Sequence, residues 1–175
     1  MQTNLLTWNK VAWMSNDYEF RAMTSDDLPM LADWLQTPHV AYWYSDPDYI
    51  DELEEHRQDD RIDQKIVLFQ GTPFAYLQDY DIDGWPDHHL GFLPSGSRGL
   101  DTFIGRAKMI GTGHGKAYLA QAAARLLGQN VPALGIDPHP ENKRAIRAYE
   151  HVGFHGDKVL ETEWGRVRIM QLKAS

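Results

Sequence analysis

Strand and helix patterns alternate between residues 99 and 154, and this order constrains the fold more than any other feature of the chain. The apolar stretch GLDTFIG is followed by a glycine-rich turn, the helix pattern GKAYLAQAAARLLG, the strand pattern ALGI and a helix predicted over residues 142–152. Helices in this order bury their apolar faces against a sheet. We therefore predict a mixed α/β (α+β) fold around this centre.

The segments on both sides of this centre predict β-hairpins, because short alternating runs flank turn residues. The predicted hairpins are KIVLFQ with FAYLQDYDI around the turn GTP, and KVLETE with RVRIMQL around Trp164 and Gly165. Before them, YEFRAM predicts a strand, TSDDLPMLADWLQTP a helix closed by Pro38, and DPDYIDELEEHRQDD an acidic helix. The pattern predicts about four helices and a sheet whose first half is antiparallel.

Length and composition limit the functional classes. At 175 residues with no internal repeat or linker, we expect one domain over residues 1–175, with residues 1–17 as an N-terminal arm. No apolar run approaches the roughly 18 residues needed to span a bilayer, and no secretory signal is recognisable. We expect a cytoplasmic protein without a membrane partner.

Net charge and cysteine content exclude further classes of function. The formal charge of −8 argues against a general nucleic-acid binder. The absence of cysteine excludes disulfides, thiolate zinc sites and a cysteine nucleophile. An acidic surface attracts cationic partners, although the same charge also serves solubility.

A glycine loop lies directly before the first helix of the centre. Gly111, Gly113 and Gly115 allow close backbone approach, and free N–H groups at a helix start favour a phosphate or pyrophosphate. Lys116 adds a positive charge. Ala117 stands where a Walker loop needs Ser or Thr, and a dinucleotide loop belongs after the first strand of its unit. Many such turns bind nothing, so the loop by itself leaves both readings open.

The second helix carries a more specific pattern. The motif N-x-x-A-x-x-x-Y-x-x-x-G-F comprises Asn142, Ala145, Tyr149, Gly153 and Phe154, roughly 30 residues after the glycine loop. Together the two resemble the GNAT superfamily of acetyl-coenzyme A-dependent N-acetyltransferases. The segments HVAYWY, RGLDTFIG and IDPHPENKRAIRAYEHVGF are similar, in the same order, to those of aminoglycoside 6′-N-acetyltransferases, over roughly residues 18–173.

This resemblance implies a cofactor and a place for it. Acetyl-CoA would lie between central strands that splay apart after Asp101 and around Ala133. Its pyrophosphate would rest on the glycine loop and its pantetheine would pair with the preceding strand, while Asn142 would contact it from the second helix. The implied coenzyme-binding residues are Thr102, Phe103, Ile104, Gly111, Thr112, Gly113, His114, Gly115, Lys116 and Asn142.

The resemblance also assigns roles to acids and aromatics. Tyr149, two helical turns after Asn142 and on the same face, would protonate the departing thiolate. Asp101 would hold the acceptor amine and is a candidate general base. Asp137 would be a further substrate-binding acid, and Trp43 an aromatic wall against a sugar ring.

Each of these side chains also has a structural alternative. Tyr149 and Trp43 would then be packing residues, and Asp101 an edge or turn residue. Asp137 would be an ordinary aspartate before Pro138.

Two segments depart from the family pattern. Ile110 stands where the phosphate loop often begins with Arg or Gln, and the Gly-, Pro- and Ser-rich loop over residues 83–98 does not match the family pattern convincingly. The adjacent His88 and His89 lie in that loop, and we expect no metal site there.

The sequence thus predicts direct acetyl transfer to a cationic small-molecule amine, with an aminoglycoside first, by a monomer or homodimer. The alternatives are another amine, such as a polyamine, a siderophore precursor or a peptide N-terminus, and a non-catalytic coenzyme A-binding module.

Overall fold

A computed structural model describes residues 18–174, so the predicted N-terminal arm lies outside the described residues. The strands are β1 Tyr18–Ala22, β2 Ile62–Phe69, β3 Thr72–Asp81, β4 Arg98–Ile104, β5 Ala133–Ile136, β6 Val159–Thr162, β7 Gly165–Arg168 and β8 Met170–Lys173. The helices are α1 Leu28–Leu35, α2 Pro38–Ala41, α3 Tyr49–His56, α4 His114–Leu127 and α5 Lys143–Val152.

The six-stranded sheet has the order β1-β2-β3-β4-β5-β8. Strands β1 to β4 are antiparallel neighbours, β4 and β5 are parallel, and β8 is antiparallel to β5. The β2–β3 turn places Gln70 and Gly71 at positive φ, as tight hairpins require. The predicted mixed sheet with an antiparallel first half is confirmed.

The predicted splay of the central strands is confirmed as well. Pairing of β4 with β5 begins at Arg98 and Leu134 and ends at Leu100 and Ile136. The last residues of β4, 101–104, continue without a β5 partner in the described structure. The chain turns away because Asp137 is followed by Pro138, which has no N–H to donate to a ladder. A cleft therefore opens at this edge of β4.

Helices α4 and α5 pack on one face of the sheet, and α1 and α3 pack on the other. Tyr118 and Leu119 of α4 share a buried cluster with Ile146 of α5. On the opposite face, Leu31 of α1 and Leu53 of α3 are fully buried. Both faces of the splayed strands are thus covered, and the opening between them remains.

The first helical region is divided differently from the prediction. Helix α1 ends at Leu35, and Pro38 begins the short α2 instead of closing α1. Proline is well suited to a first helical position, where the N–H it lacks has no helical partner. The described structure therefore has five helices, where about four were expected.

The predicted C-terminal hairpin is wrong in its second strand. RVRIMQL divides after β7, which pairs with β6, and β8 crosses to the main sheet beside β5. Ile169 and Met170 are consecutive and both buried, but they enter different apolar clusters. Successive side chains in one strand point to opposite faces, so a simple two-stranded hairpin leaves one of this pair exposed.

Candidate active site

The splay between β4 and β5 opens into a cleft of about 1640 Å³. Most residues singled out from the sequence line it, although they come from elements distant in the chain. The predicted site residues on its walls are Trp43, Asp101, Thr102, Phe103, Ile104, Gly111, Gly113, Gly115, Lys116, Asp137, Asn142 and Tyr149. The structure therefore brings these residues together around one cavity.

The glycine loop enters α4 with two residues in the left-handed region. Gly111 has a φ of 73° and Gly113, the N-cap of α4, a φ of 93°. Side chains rarely adopt these angles, which explains glycine at both positions. The first N–H groups of α4 have no helical acceptor, and Gly113, Gly115 and the exposed Lys116 line the cleft. This arrangement suits an anion.

The side chains of His114 and Thr112 do not line the cleft. His114 Nδ1 is 2.7 Å from the Tyr18 hydroxyl, and its ring packs against Phe69 and Phe74. Burial lowers the pKa of His114, which favours the neutral ring in this aromatic cluster. Thr112 donates to the carbonyl of Met109 at 2.8 Å. Any coenzyme contact of these two residues would be made by the backbone.

Backbone groups also dominate at the open edge of β4. The Phe103 side chain is buried on the α1 face, and the Thr102 hydroxyl is 2.7 Å from the Tyr118 hydroxyl. Two carbonyl oxygens of this stretch already have side-chain partners. His39 Nε2 lies 2.8 Å from the carbonyl oxygen of Ile104, and the Tyr44 hydroxyl lies 3.1 Å from the carbonyl oxygen of Thr102.

Asp101 is held by two tyrosines that the sequence analysis did not single out. The Tyr44 hydroxyl donates to Asp101 Oδ1 at 2.6 Å, and the Tyr49 hydroxyl donates to Oδ2 at 3.0 Å. Burial raises the pKa of Asp101, and these two hydrogen bonds oppose that rise. The only signal in the sequence was the aromatic-rich stretch AYWYSDPDY, which ends at Tyr49, the first residue of α3.

Asp137 has a partner from the loop over residues 83–98. His89 Nε2 lies 2.6 Å from Asp137 Oδ2, and both side chains are largely buried. The His88 ring stacks on His89, with 4.3 Å between centroids, and the exposed Trp164 lies against both. The charge of Asp137 contributes to the raised pKa of Asp101, so the two carboxylates act on the same region of the cleft.

Asn142 and Tyr149 lie at the start and near the end of α5. Asn142 Oδ1 accepts a hydrogen bond from the Ala145 N–H at 3.2 Å, which makes it the helix N-cap. Within residues 18–174, no group hydrogen-bonds the Tyr149 hydroxyl. Burial is the main cause of a Tyr149 pKa well above the usual range. This phenol therefore stays protonated and is free to donate.

An aromatic group borders the cleft mouth. The Trp43 ring lies 4.7 Å from that of Tyr42 and 5.5 Å from that of His139, centroid to centroid. Trp43 is half-buried, and its position on the wall is compatible with the predicted contact to a sugar ring.

The family profile of the acetyltransferase (GNAT) domain matches residues 23–162. The chain belongs to this family. It is 32% identical over 180 residues to an aminoglycoside N(6′)-acetyltransferase type 1 of Klebsiella pneumoniae, covering 94% of this chain and 88% of the relative.

Among solved structures, the acetyltransferase resembles AAC(6′)-Ib in complex with coenzyme A and kanamycin. The TM-score is 0.77 at 28% identity, covering 89% of this chain and 94% of that one. It shares its fold with the Vibrio cholerae spermidine N-acetyltransferase bound to CoA and spermine, with a TM-score of 0.72 at 18% identity, covering 91% and 97% of the two chains. The predicted enzyme class and its acetyl-CoA cosubstrate are confirmed, whereas the fold alone does not select the acceptor.

Two further findings concern the described part of the acetyltransferase. Residues 18–174 contain no group of three or more His, Asp or Glu side chains arranged to hold a metal ion. In the same residues, no helix is long and apolar enough to cross a membrane.

Proposed function

We propose that the enzyme transfers the acetyl group of acetyl-CoA directly to an amine of a cationic small molecule, with the 6′-amine of an aminoglycoside as the favoured acceptor. The observation that carries the proposal is the pair Asp101 and Asp137, which line the same cleft beside the open edge of β4. Carboxylates attract an ammonium group and are able to accept its proton. The similarity to aminoglycoside acetyltransferases over most of the chain supports the same acceptor class.

The residues on the other side of the cleft fit acetyl-CoA, which supplies a thioester as the acetyl donor. The N–H groups from Gly111 to Lys116 would hold the pyrophosphate, as free amides at a helix start hold anions. The open edge from Thr102 to Ile104 would pair with the pantetheine amides like an added strand. Asn142 would reach the coenzyme while its Oδ1 continues to cap α5.

The reaction then needs three proton transfers. The ammonium of the acceptor loses a proton to Asp101, directly or through water, so that the amine nitrogen is able to attack the thioester carbon. The new N–C bond forms as the C–S bond breaks, and Tyr149 donates its phenol proton to the departing sulfur. The nitrogen loses its second proton as the amide forms, and this proton returns to the Tyr149 phenolate, directly or through water, while the first leaves Asp101 for solvent. The unbonded Tyr149 hydroxyl supports this assignment, because no other acceptor in the described structure competes for its proton.

The acceptor's remaining groups would meet the other walls. Asp137, held by His89, would bind a second amine or hydroxyl of the acceptor, and Trp43 would stack against a ring. Because His89 belongs to the loop over residues 83–98, this loop would also position the acceptor-binding Asp137.

The test is thiol release from acetyl-CoA with a panel of amines: kanamycin, tobramycin, spermidine, lysine derivatives and short peptides. We expect turnover with the aminoglycosides. Turnover confined to other amines would overturn the aminoglycoside assignment and keep the reaction. Coenzyme binding without thiol release for any amine would instead favour a non-catalytic coenzyme A-binding module.

A further inference from the structure

Tyrosine side chains surround the Asp101 carboxylate. The tyrosines whose pKa values are affected by the Asp101 charge are Tyr44, Tyr49, Tyr76, Tyr80, Tyr118 and Tyr149. Within the described residues, Tyr44 and Tyr49 are the side chains that hydrogen-bond this carboxylate, one at each oxygen, and the backbone N–H of Thr102 also lowers the Asp101 pKa. Their arrangement distinguishes these two from the rest of the group.

The rings of Tyr44 and Tyr49 pack against each other, and the Tyr44 ring also packs against Phe103. The Tyr44 ring lies 5.2 Å from the Tyr49 ring and 5.1 Å from the Phe103 ring, centroid to centroid. The Tyr44 hydroxyl also lies 3.1 Å from the carbonyl oxygen of Thr102, on the open edge of β4. Tyr44 therefore contacts both the acid and the edge proposed for pantetheine.

We propose that Tyr44 and Tyr49 are positioning residues, which orient the Asp101 carboxylate and keep it ionised so that it meets the acceptor as an anion. This inference rests on the proposed function, in which Asp101 is the acid that receives the ammonium. It assigns a role to the segment from Trp43 to the start of α3 at Tyr49.

The physical reason is the poor solvation of a carboxylate inside the cleft. Burial disfavours the charged form, and hydrogen bonds donated to that form stabilise it. Burial also raises the pKa of Tyr44 and of Tyr49 well above the usual range. Both phenols therefore remain neutral donors and do not compete with Asp101 for the negative charge.

The other groups around Asp101 do not replace these two donors. From β3, Tyr76 donates to Gln78, and from α4, Tyr118 shares a hydrogen bond with Thr102. Asp137, which follows β5, opposes ionisation of Asp101 through its own negative charge. Tyr80 of β3 and Tyr149 of α5 make no hydrogen bond to Asp101 within residues 18–174.

The test replaces each hydroxyl and keeps each ring: Tyr44→Phe, Tyr49→Phe and the double variant. Without the donated hydrogen bond the Asp101 carboxylate is less stable as an anion, so it becomes protonated at a higher pH. The acid limb of the kcat/KM profile therefore shifts to higher pH. We expect kcat/KM for the acceptor to fall about tenfold on that limb for each variant, because hydrogen bonds to charged groups have this strength. On the alkaline plateau the loss should be smaller, and KM for acetyl-CoA should stay unchanged.

Tyr42→Phe is the matched control, since Tyr42 is 71% exposed and makes no hydrogen bond to Asp101 in the described structure. A direct readout is NMR titration of isotopically labelled aspartate carboxylates, with the Asp101 signal assigned from Asp101→Asn. We expect the Asp101 titration to move to higher pH in both single variants and further in the double variant.

Titration of Asp101 at the wild-type pH in Tyr44→Phe and Tyr49→Phe would overturn the inference, as would an equal shift in Tyr42→Phe. The two single variants keep the test decisive if the double variant does not fold. Because the titration needs no turnover, a silent amine panel would count against the proposed function alone, and NMR would still decide the role of the tyrosines.

Discussion

The two sides of the cleft are built from different parts of the polypeptide. The glycine-loop side, Gly111–Lys116 with the β4 edge from Thr102 to Ile104, presents mainly backbone N–H and C=O groups, and the side chains of Thr112 and His114 point away. The carboxylate side, Asp101 and Asp137 with the side chains that bond them, presents acids held by phenol and imidazole groups.

This difference predicts how each side responds to substitution. A backbone surface tolerates changes of side chain but depends on the φ angles that glycine allows. A surface made of hydrogen-bonded side chains is sensitive to the loss of a single donor or acceptor atom, because a buried polar group without its partner destabilises the fold. Four substitutions separate the two sides, and they are ordered by the size of the loss that we expect.

The largest effect is expected from Asp101→Asn on the carboxylate side. The amide removes the negative charge and the proton acceptor, so kcat should fall roughly 10²- to 10⁴-fold. Calorimetric binding of coenzyme A should stay within about twofold if each side contributes separately to binding. Asp87→Asn, at an exposed loop position, makes the same charge change as a control. If coenzyme A affinity in Asp101→Asn fell by as much as kcat, the two sides of the cleft would not contribute separately.

Tyr149→Phe tests a side chain that would act on the sulfur of the coenzyme but is not part of the backbone surface. The lost phenol proton should lower kcat about 10²-fold with little change in KM for acetyl-CoA. In the wild type, burial raises the Tyr149 pKa, so its proton-donating form persists to higher pH. We therefore expect no alkaline loss of kcat from this group below the ordinary phenol pKa of about 10. Unchanged kcat in the variant would leave Tyr149 as a packing residue.

Gly113→Ala tests the backbone side. At a φ of 93°, a Cβ costs about 1–2 kcal/mol, and relief of that strain would turn loop amides away from the anion. KM for acetyl-CoA should rise about fivefold to tenfold, with kcat at saturation nearly unchanged. Gly71→Ala, at a φ of 74° in the β2–β3 turn, carries a similar penalty away from the cleft and should lower stability alone. Equal KM effects in the two variants would contradict the role of the loop.

Asn142→Ala should give the smallest effect, because Asn142 serves helix and cleft together. Loss of its N-cap hydrogen bond to the Ala145 N–H should lower the free energy of unfolding by about 1 kcal/mol. Denaturant unfolding measures this change, and coenzyme titration measures any added loss of affinity. Asn142→Asp keeps the cap and should restore stability; if it does not, the measured loss arises from a contact other than the cap.

Much of the fold was predictable because its signals are local. Apolar periodicity located α4, α5 and the β2–β3 hairpin, and the glycines located the turn before α4. The errors arose where neighbouring elements decided the outcome. Pro38 begins α2 instead of ending α1. Ile169 lies between β7 and β8, because its side chain and that of Met170 pack in different apolar clusters.

On the carboxylate side, the sequence identified the acids but not the groups that hold them. Tyr44 and Tyr49 lie 57 and 52 residues from Asp101 in the chain, and His89 lies 48 residues from Asp137. No periodicity or spacing encodes such contacts. The His89 contact also brings the loop over residues 83–98 next to Asp137.

Local sequence is enough to specify the order of elements, the glycine loop and the motif of α5, because each depends on residues within a few turns of one another. Long-range packing sets which donors meet which carboxylate, how far β4 extends beyond β5, and where the C-terminal strand divides. These outcomes depend on sheet order and on side-chain packing between distant segments, and both come into existence only when the chain has folded.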